Sequence, residues 1–263
     1  MFWQRALCEK LGLKGRILIS KHGINGTLGG DLKNLKYYTR EMKAHPLFEG
    51  IVYKWSDGGA DDFPKLKVKV KDEIVAFNAA DEIVVTEKGI INGGKHLKPA
   101  AVNKLVEERG DEVIFYDGRN MYEAQIGRFK NTIIPKTRTS RDFIEDIENG
   151  EISKHKDKPI VTYCTGGIRC EILSAMMKNR GYEEVYQIDG GIVKYGEHSK
   201  DDGLWEGKLF VFDDRMQIGF SDKAKDIADC EKCGKKTSRQ ENSENIRRKL
   251  SVICEDCATV TQS

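Results

Sequence analysis

The sequence predicts an α/β protein in three parts: a small α+β sandwich over residues 1–94, a parallel-sheet α/β domain over 97–208, and a short cysteine-rich segment over 209–263. Three observations carry that reading. Between about Leu97 and Lys208, short apolar runs alternate with helical stretches, the pattern of buried parallel strands joined by helical crossovers. Ahead of them, helical periodicity is mixed with a strictly alternating run, which suits a small sheet packed against helices. Behind them, four of the seven cysteines fall in two close pairs.

The first part opens on a helical stretch, Gln4 to Leu11, and runs into the strand-like Arg16-Ile17-Leu18-Ile19-Ser20. A glycine-rich turn is expected at Gly23-Ile24-Asn25-Gly26, with extended chain resuming at Thr27-Leu28. Asp31 to Ala44 reads as an amphipathic helix, because Leu32, Leu35, Tyr38 and Met42 recur near helical spacing. Beyond a turn at Asp57-Gly58-Gly59, Lys65 to Lys71 alternates lysine with aliphatic residues, so a strand there has one apolar and one basic face. In the second part Val113 to Tyr116, Pro159 to Tyr163 and Val185 to Ile188 read as strands. Ala100 to Arg109, Arg141 to Asn149 and Glu171 to Arg180 read as helices, the last stopped by Gly181.

With 39% hydrophobic and 33% charged residues and 5 prolines in 263, the composition is that of a soluble globular chain, not of a disordered or collagen-like one. No apolar run approaches the ~18 residues that span a bilayer, so no membrane partner is expected. The N-terminus lacks the basic-then-apolar layout of an export signal, which points to the cytoplasm. A net charge of +2 neither demands nor forbids nucleic acid. In a reducing compartment, an odd number of cysteines with close pairs suits thiol chemistry or metal binding better than disulfides. Nothing in the sequence fixes an oligomeric state.

The strongest chemical signal is Cys164-Thr165-Gly166-Gly167-Ile168-Arg169-Cys170, which leaves an apolar strand and enters a helix. A cysteine there lies at the C-terminal edge of a parallel sheet, where α/β proteins keep their active sites. Two glycines let successive N–H groups turn inward and, with the helix N-terminus, cradle negative charge. Such a cradle favours a thiolate or a persulfide. Arg169 is expected to close the ring and offer its fork to an anion. Cys170 either resolves a persulfide or simply packs in the first helical turn.

At the other end, Cys230-x-x-Cys233 and Cys254-x-x-Cys257 are separated by a 20-residue polar spacer. Two such pairs are the usual set for a tetrahedral zinc, each pair spanning one edge, and a closed site of this kind is structural. A redox-active thiol set and an iron–sulfur cluster are the alternatives.

Loop length and flanking motifs carry a family resemblance. Four residues separate Cys164 from Arg169, against five in cysteine phosphatases, and the shorter ring resembles the rhodanese superfamily. Asp117-Gly118-Arg119 with Glu123 and Gly127, and the Asp189-Gly190-Gly191 turn, resemble the same superfamily's structural signature. More specific are Leu11 to Ile19, Gly23-Ile24-Asn25-Gly26-Thr27, Phe63-Pro64-Lys65-Leu66, Gly94 to Pro99, Trp205 to Lys208 and Phe210 to Arg215. Together, in order along nearly the whole chain, they resemble the rhodanese-type tRNA uridine hydroxylases. That resemblance implies a ferredoxin-like (acylphosphatase-like) first domain, a rhodanese second domain and a zinc-binding third segment. Relatives usually begin with a further strand ahead of the first helix, so either the start is truncated here or another element covers the sheet edge that strand would have paired.

The resemblance also implies oxygen-dependent hydroxylation of the wobble uridine of tRNA to 5-hydroxyuridine, with O2 as co-substrate and the anticodon region as the bound part. Cys164 is then the essential thiol, and Thr165, Gly166, Gly167, Ile168 and Arg169 form the binding loop. No flavin or nicotinamide glycine fingerprint and no clear two-histidine-one-carboxylate set is present, so no motif identifies the electron donor. Lys14, Arg16, Lys21, Lys65, Lys67 and Lys69, with Lys71, are candidates for tracking RNA phosphates, against the plain alternative of a solvated strand face. Tyr163 and Tyr195 are candidates for stacking on a displaced base, although Tyr163 is expected rather to pack in the sheet. Two other readings remain open at this point: a cytosolic sulfurtransferase that carries a persulfide on Cys164, and a non-catalytic RNA-binding module.

Overall fold

A computed structural model of the chain describes residues 1–86, 89–242 and 250–259. It forms two compact units, Met1–Ile74 with the returning segment Phe212–Arg215, and Val75–Val211 with Met216–Ser263. Part of the spacer between the two cysteine pairs, residues 243–249, lies outside the described residues.

In the first unit α1 (Phe2–Lys10) leads to β1 (Lys14–Ser20), β2 (Gly23–Gly29), α2 (Leu32–Ala44) and β3 (Leu66–Val70). The sheet order is β2-β1-β3, with β1 antiparallel to β2 and parallel to β3. Asp31 caps α2 by accepting from the Lys33 N–H at 2.8 Å, which satisfies a donor the helix leaves free. Ile17 and Val68 face Cys8, Tyr38 and Met42 of the two helices, and this is the unit's core. At the far end of the chain, Asp214 N–H donates to the Asp62 carbonyl at 2.9 Å, which brings the returning segment onto this unit.

The glycine-rich stretch expected as a turn is strand instead. Ser20 pairs directly with Gly23, so the chain reverses at Lys21 and His22, and Gly23 to Gly29 is β2. The glycines serve close approach of the two strands: a Cβ on Gly15, at φ +131°, would sit 2.1 Å from the Thr27 carbonyl oxygen. Register also explains the basic face. Arg16 lies beside Lys67 and Leu18 beside Lys69, on the sheet face opposite Ile17 and Val68. Arg16, Lys21, Lys65, Lys67, Lys69 and Lys71 are exposed, and Lys14 is partly so, within 3.6 Å of Asp61.

The second unit is built on a five-stranded parallel sheet. Its elements are β4 (Lys95–Leu97), α3 (Pro99–Arg109), β5 (Ile114–Asp117), α4 (Met121–Ile126), β6 (Thr132–Ile133), α5 (Phe143–Asn149), β7 (Pro159–Tyr163), α6 (Ile168–Asn179), β8 (Glu184–Ile188) and α7 (Gly191–Ser199). The order is β4-β8-β7-β5-β6. β7 is central and every one of its residues is buried, as its unbroken apolar run requires. Phe115, Phe129, Tyr163, Tyr195 and Trp205 form an aromatic core, with Phe129 within 5.5 Å of Tyr163, Tyr195 and Trp205. The chain after α7 adds Trp205–Gly207 antiparallel to Gly127–Phe129. Phe210, Ala228 and Val252 then pack on Tyr122 and Ile126, which fastens the cysteine-rich segment to α4. Among the described residues no helix is long and apolar enough to cross a membrane.

Candidate active site

Cys164 follows the last residue of β7 and Ile168 begins α6, so the loop is three further residues at the C-terminal edge of the sheet. Gly167 caps α6 at φ +98°, a conformation that side chains other than glycine seldom adopt. Its N–H donates to the Cys164 sulfur at 3.1 Å. The outer carbonyls of the loop are held from α7: Ile192 N–H donates to the Cys164 carbonyl at 2.9 Å and Val193 N–H to that of Thr165 at 3.1 Å. Gly191 makes that approach possible, because a Cβ there would lie 2.4 Å from the Cys164 carbonyl oxygen.

The Cys164 sulfur is buried, which by itself would raise its pKa. Hydrogen bonding from the Cys170 thiol, the charge of Arg169 and the backbone N–H groups of Cys170 and Arg169 outweigh burial and hold it down to about 5. The adjoining Cys170 moves the other way. Burial and the neighbouring sulfur push its pKa well above the usual thiol range, so the pair is one thiolate and one thiol.

The structure corrects one expectation for Arg169. Its fork does not open to the loop centre but closes on Glu123, with Nη1 2.6 Å and Nη2 2.9 Å from the two carboxylate oxygens, and Nη2 also reaches Thr165 Oγ1 at 3.1 Å. Glu123 is fully buried, and a bare carboxylate there would be costly, so its pairing with the Arg169 guanidinium offsets that cost. Glu123 also accepts from the backbone and side-chain nitrogens of Asn120, both at 3.1 Å. Arg169 therefore braces the loop and lends it charge. Arg119, also fully buried, is paired with Asp117 at 2.6 Å and lies over the Tyr163 and Trp205 rings. Tyr163 packs in the sheet as expected of it, and the stacking role considered for Tyr195 is corrected: both rings are fully buried in the core, donating to Thr132 and Asn103.

The cysteine pairs converge as the spacing requires. The sulfurs of Cys230, Cys233, Cys254 and Cys257 all lie within 4.8 Å of one another. A tetrahedral ion with metal–sulfur bonds of about 2.3 Å sets its sulfurs about 3.8 Å apart, so these four residues fit such an ion with small adjustments. Gly234, at φ +74°, donates its N–H to the Cys230 carbonyl at 2.9 Å and makes the first knuckle.

Comparison with known proteins places this arrangement. The family models described as UPF0176 acylphosphatase like domain, Rhodanese-like domain and Rhodanase C-terminal match residues 2–74, 98–198 and 206–263. The chain is 61% identical over 264 residues to the tRNA uridine(34) hydroxylase of Corynebacterium jeikeium, covering 100% of this chain and 85% of that protein. The protein of the same name from Corynebacterium urealyticum is 60% identical, covering 98% of this chain and 87% of its own length. The chain belongs to the tRNA uridine(34) hydroxylase family. A more distant genus agrees: the tRNA uridine(34) hydroxylase of an Arthrobacter species is 58% identical over 98% of this chain and 88% of its own. Membership extends over the α+β unit, the Cys164 loop and the cysteine-rich segment together, which a match to the rhodanese domain alone would not.

Proposed function

We propose that this protein hydroxylates the wobble uridine of tRNA to 5-hydroxyuridine, with Cys164 as the essential thiol. Identity of 60% with tRNA uridine(34) hydroxylases over 98% of the chain carries the reading. The Cys164 loop supports it, being a buried thiolate with its backbone donors in place. A persulfide carrier would use the same loop, but the full-length relatives bear the hydroxylase name.

Thr165, Gly166, Gly167 and Ile168 form the wall against which the uridine is bound, with Arg169 bracing it through Glu123. Dioxygen is the oxygen source, and a separate reductant supplies the electrons. Lys14, Arg16, Lys21, Lys65, Lys67 and Lys69 contact phosphates of the anticodon region from the open face of the first unit's sheet. Cys230, Cys233, Cys254 and Cys257 hold a zinc ion, which would act as a four-sulfur crosslink for a segment with few apolar residues of its own.

The test is nucleoside mass spectrometry on tRNA from cells lacking the gene, complemented with the wild type or with Cys164→Ala. Wild type restores 5-hydroxyuridine and its derivatives and Cys164→Ala does not. Restoration by the alanine variant would remove Cys164 from the chemistry.

A further inference from the structure

One cleft of the first unit belongs neither to its core nor to the basic face of its sheet. It lies between α2 and the segment 51–55, has a volume of about 370 Å³, and is lined by Thr39, Lys43, Ile51, Val52, Tyr53 and Trp55. That volume is at the small end for ligand sites and suits one flat ring system better than a large cofactor. Ile51 and Tyr53 pack on the core, whereas Val52 and Trp55 are 81% and 47% exposed. Lys43 Nζ lies 5.9 Å from the centre of the Tyr53 ring. Thr39 Oγ1 donates to the Lys36 carbonyl at 2.9 Å, so to any further partner it is an acceptor. The lining therefore combines aromatic surface, one cation and one acceptor, with no carboxylate.

The cleft stands at one end of a line of positive charge. Lys33, Lys36, Arg40 and Lys43 of α2 are all exposed and three or four residues apart, which sets them one above another on one side of the helix. Like charges at these spacings repel and weaken a helix, a cost that a bound polyanion removes. The single acid of α2, Glu41, stands off this line and meets Arg40 at 3.7 Å. Tyr37, also exposed, has the Arg40 guanidinium 4.6 Å above its ring. A row of cations leading to an exposed indole is the pairing that holds single-stranded nucleic acid, with charge for the backbone and a ring face for a base. We propose that the cleft takes one unpaired base of the bound RNA, stacked on Trp55, with its phosphate on Lys43 and adjoining phosphates along Arg40, Lys36 and Lys33. Because Tyr38 and Met42 of α2 pack on the Ile17 and Val68 side of the sheet, this contact is separate from the one assigned to Lys67 and Lys69 on the opposite side.

The inference rests on the tRNA reading for its partner, but its test reads binding and not hydroxylation. Fluorescence anisotropy at several salt concentrations follows two probes, whole tRNA and a short labelled oligouridylate. Trp55→Ala weakens binding of both about fivefold or more and leaves the salt slope unchanged, because stacking releases no counterions. Trp55→Phe keeps a ring and recovers most of that loss. Lys43→Ala reduces the salt slope by about 0.7, the share of one single-strand phosphate. Circular dichroism establishes that each variant is folded. Unchanged affinity for either probe in a folded Trp55→Ala would overturn the proposal, as would a phenylalanine variant as weak as the alanine one. If the wild type makes 5-hydroxyuridine and Trp55→Ala binds tRNA normally, this inference alone fails. If the wild type makes none and both probes still depend on Trp55, the hydroxylase reading alone fails.

Discussion

Two opposed effects meet at the Cys164 sulfur. Taking a thiol out of water favours its neutral form, while donors and a nearby guanidinium favour the anion; here the donors win, and the pKa falls to about 5. The reactive form is the deprotonated one, so Cys164 alkylation rises as pH increases through about 5 and is already level at neutrality. A midpoint near 8.5, that of an ordinary thiol, would show that the cradle does not act. Glu123 belongs to the same balance. Glu123→Gln leaves the Arg169 cation without its carboxylate, and breaking a buried pair costs roughly 3–5 kcal/mol. Urea unfolding measures that loss, and a loss under about 1 kcal/mol would mean the pair is not holding the loop. At this scale the sequence is informative where partners are local. Cys164, the glycines and Arg169 sit within six residues, and their spacing alone implied a thiolate cradle. Glu123 is 46 residues from Arg169, so no local spacing could reveal that the arginine's fork is already taken.

At the scale of elements, the loop owes its shape to α7. Gly191 stands at φ +66° against the Cys164 carbonyl, so Gly191→Ala brings both backbone strain and a collision. That variant is expected to lose about 1–3 kcal/mol of stability and to slow Cys164 alkylation at neutral pH; unchanged alkylation would free α7 of this role. On the first unit, Lys67 and Lys69 project from one face of β3. Replacing both with glutamate should weaken tRNA binding and flatten its dependence on salt by about one unit of slope for each phosphate no longer neutralised, as read from binding at several ionic strengths. An unaltered slope would return these lysines to the role of a solvated face. Long elements with strong periodicity were legible: α2, α3 and β7 lie where their patterns put them. β4 and β6 have three and two residues, too few to show a period, and α7 hides behind a glycine pair that reads as a turn. The stretch Gly23 to Gly26 failed for a physical reason, since glycine marks both reversals and close strand packing.

For the whole molecule, the cysteine-rich segment shows how a short run with little core is kept in place. It packs a small apolar surface on α4 through Phe210, Ala228 and Val252, and it holds four convergent sulfurs. With zinc bound, about one ion per chain is expected by elemental analysis, and a strong chelator should open the segment to protease while the parallel sheet survives. A metal-free protein with the same protease pattern would contradict a structural zinc. The order of the three parts was legible because each has its own chemistry, alternating lysines, apolar strands and paired cysteines. The return of Phe212–Arg215 to the first unit was not, because only tertiary packing defines it. The central claim is that the Cys164 loop directs an oxygen atom onto one base of tRNA. Its most direct measurement is the mass of anticodon fragments from tRNA of cells carrying either the wild type or Cys164→Ala as the sole copy. The account predicts a gain of one oxygen atom at the wobble uridine with the wild type and none with the variant. The same gain in both, or a gain at another position, would contradict it.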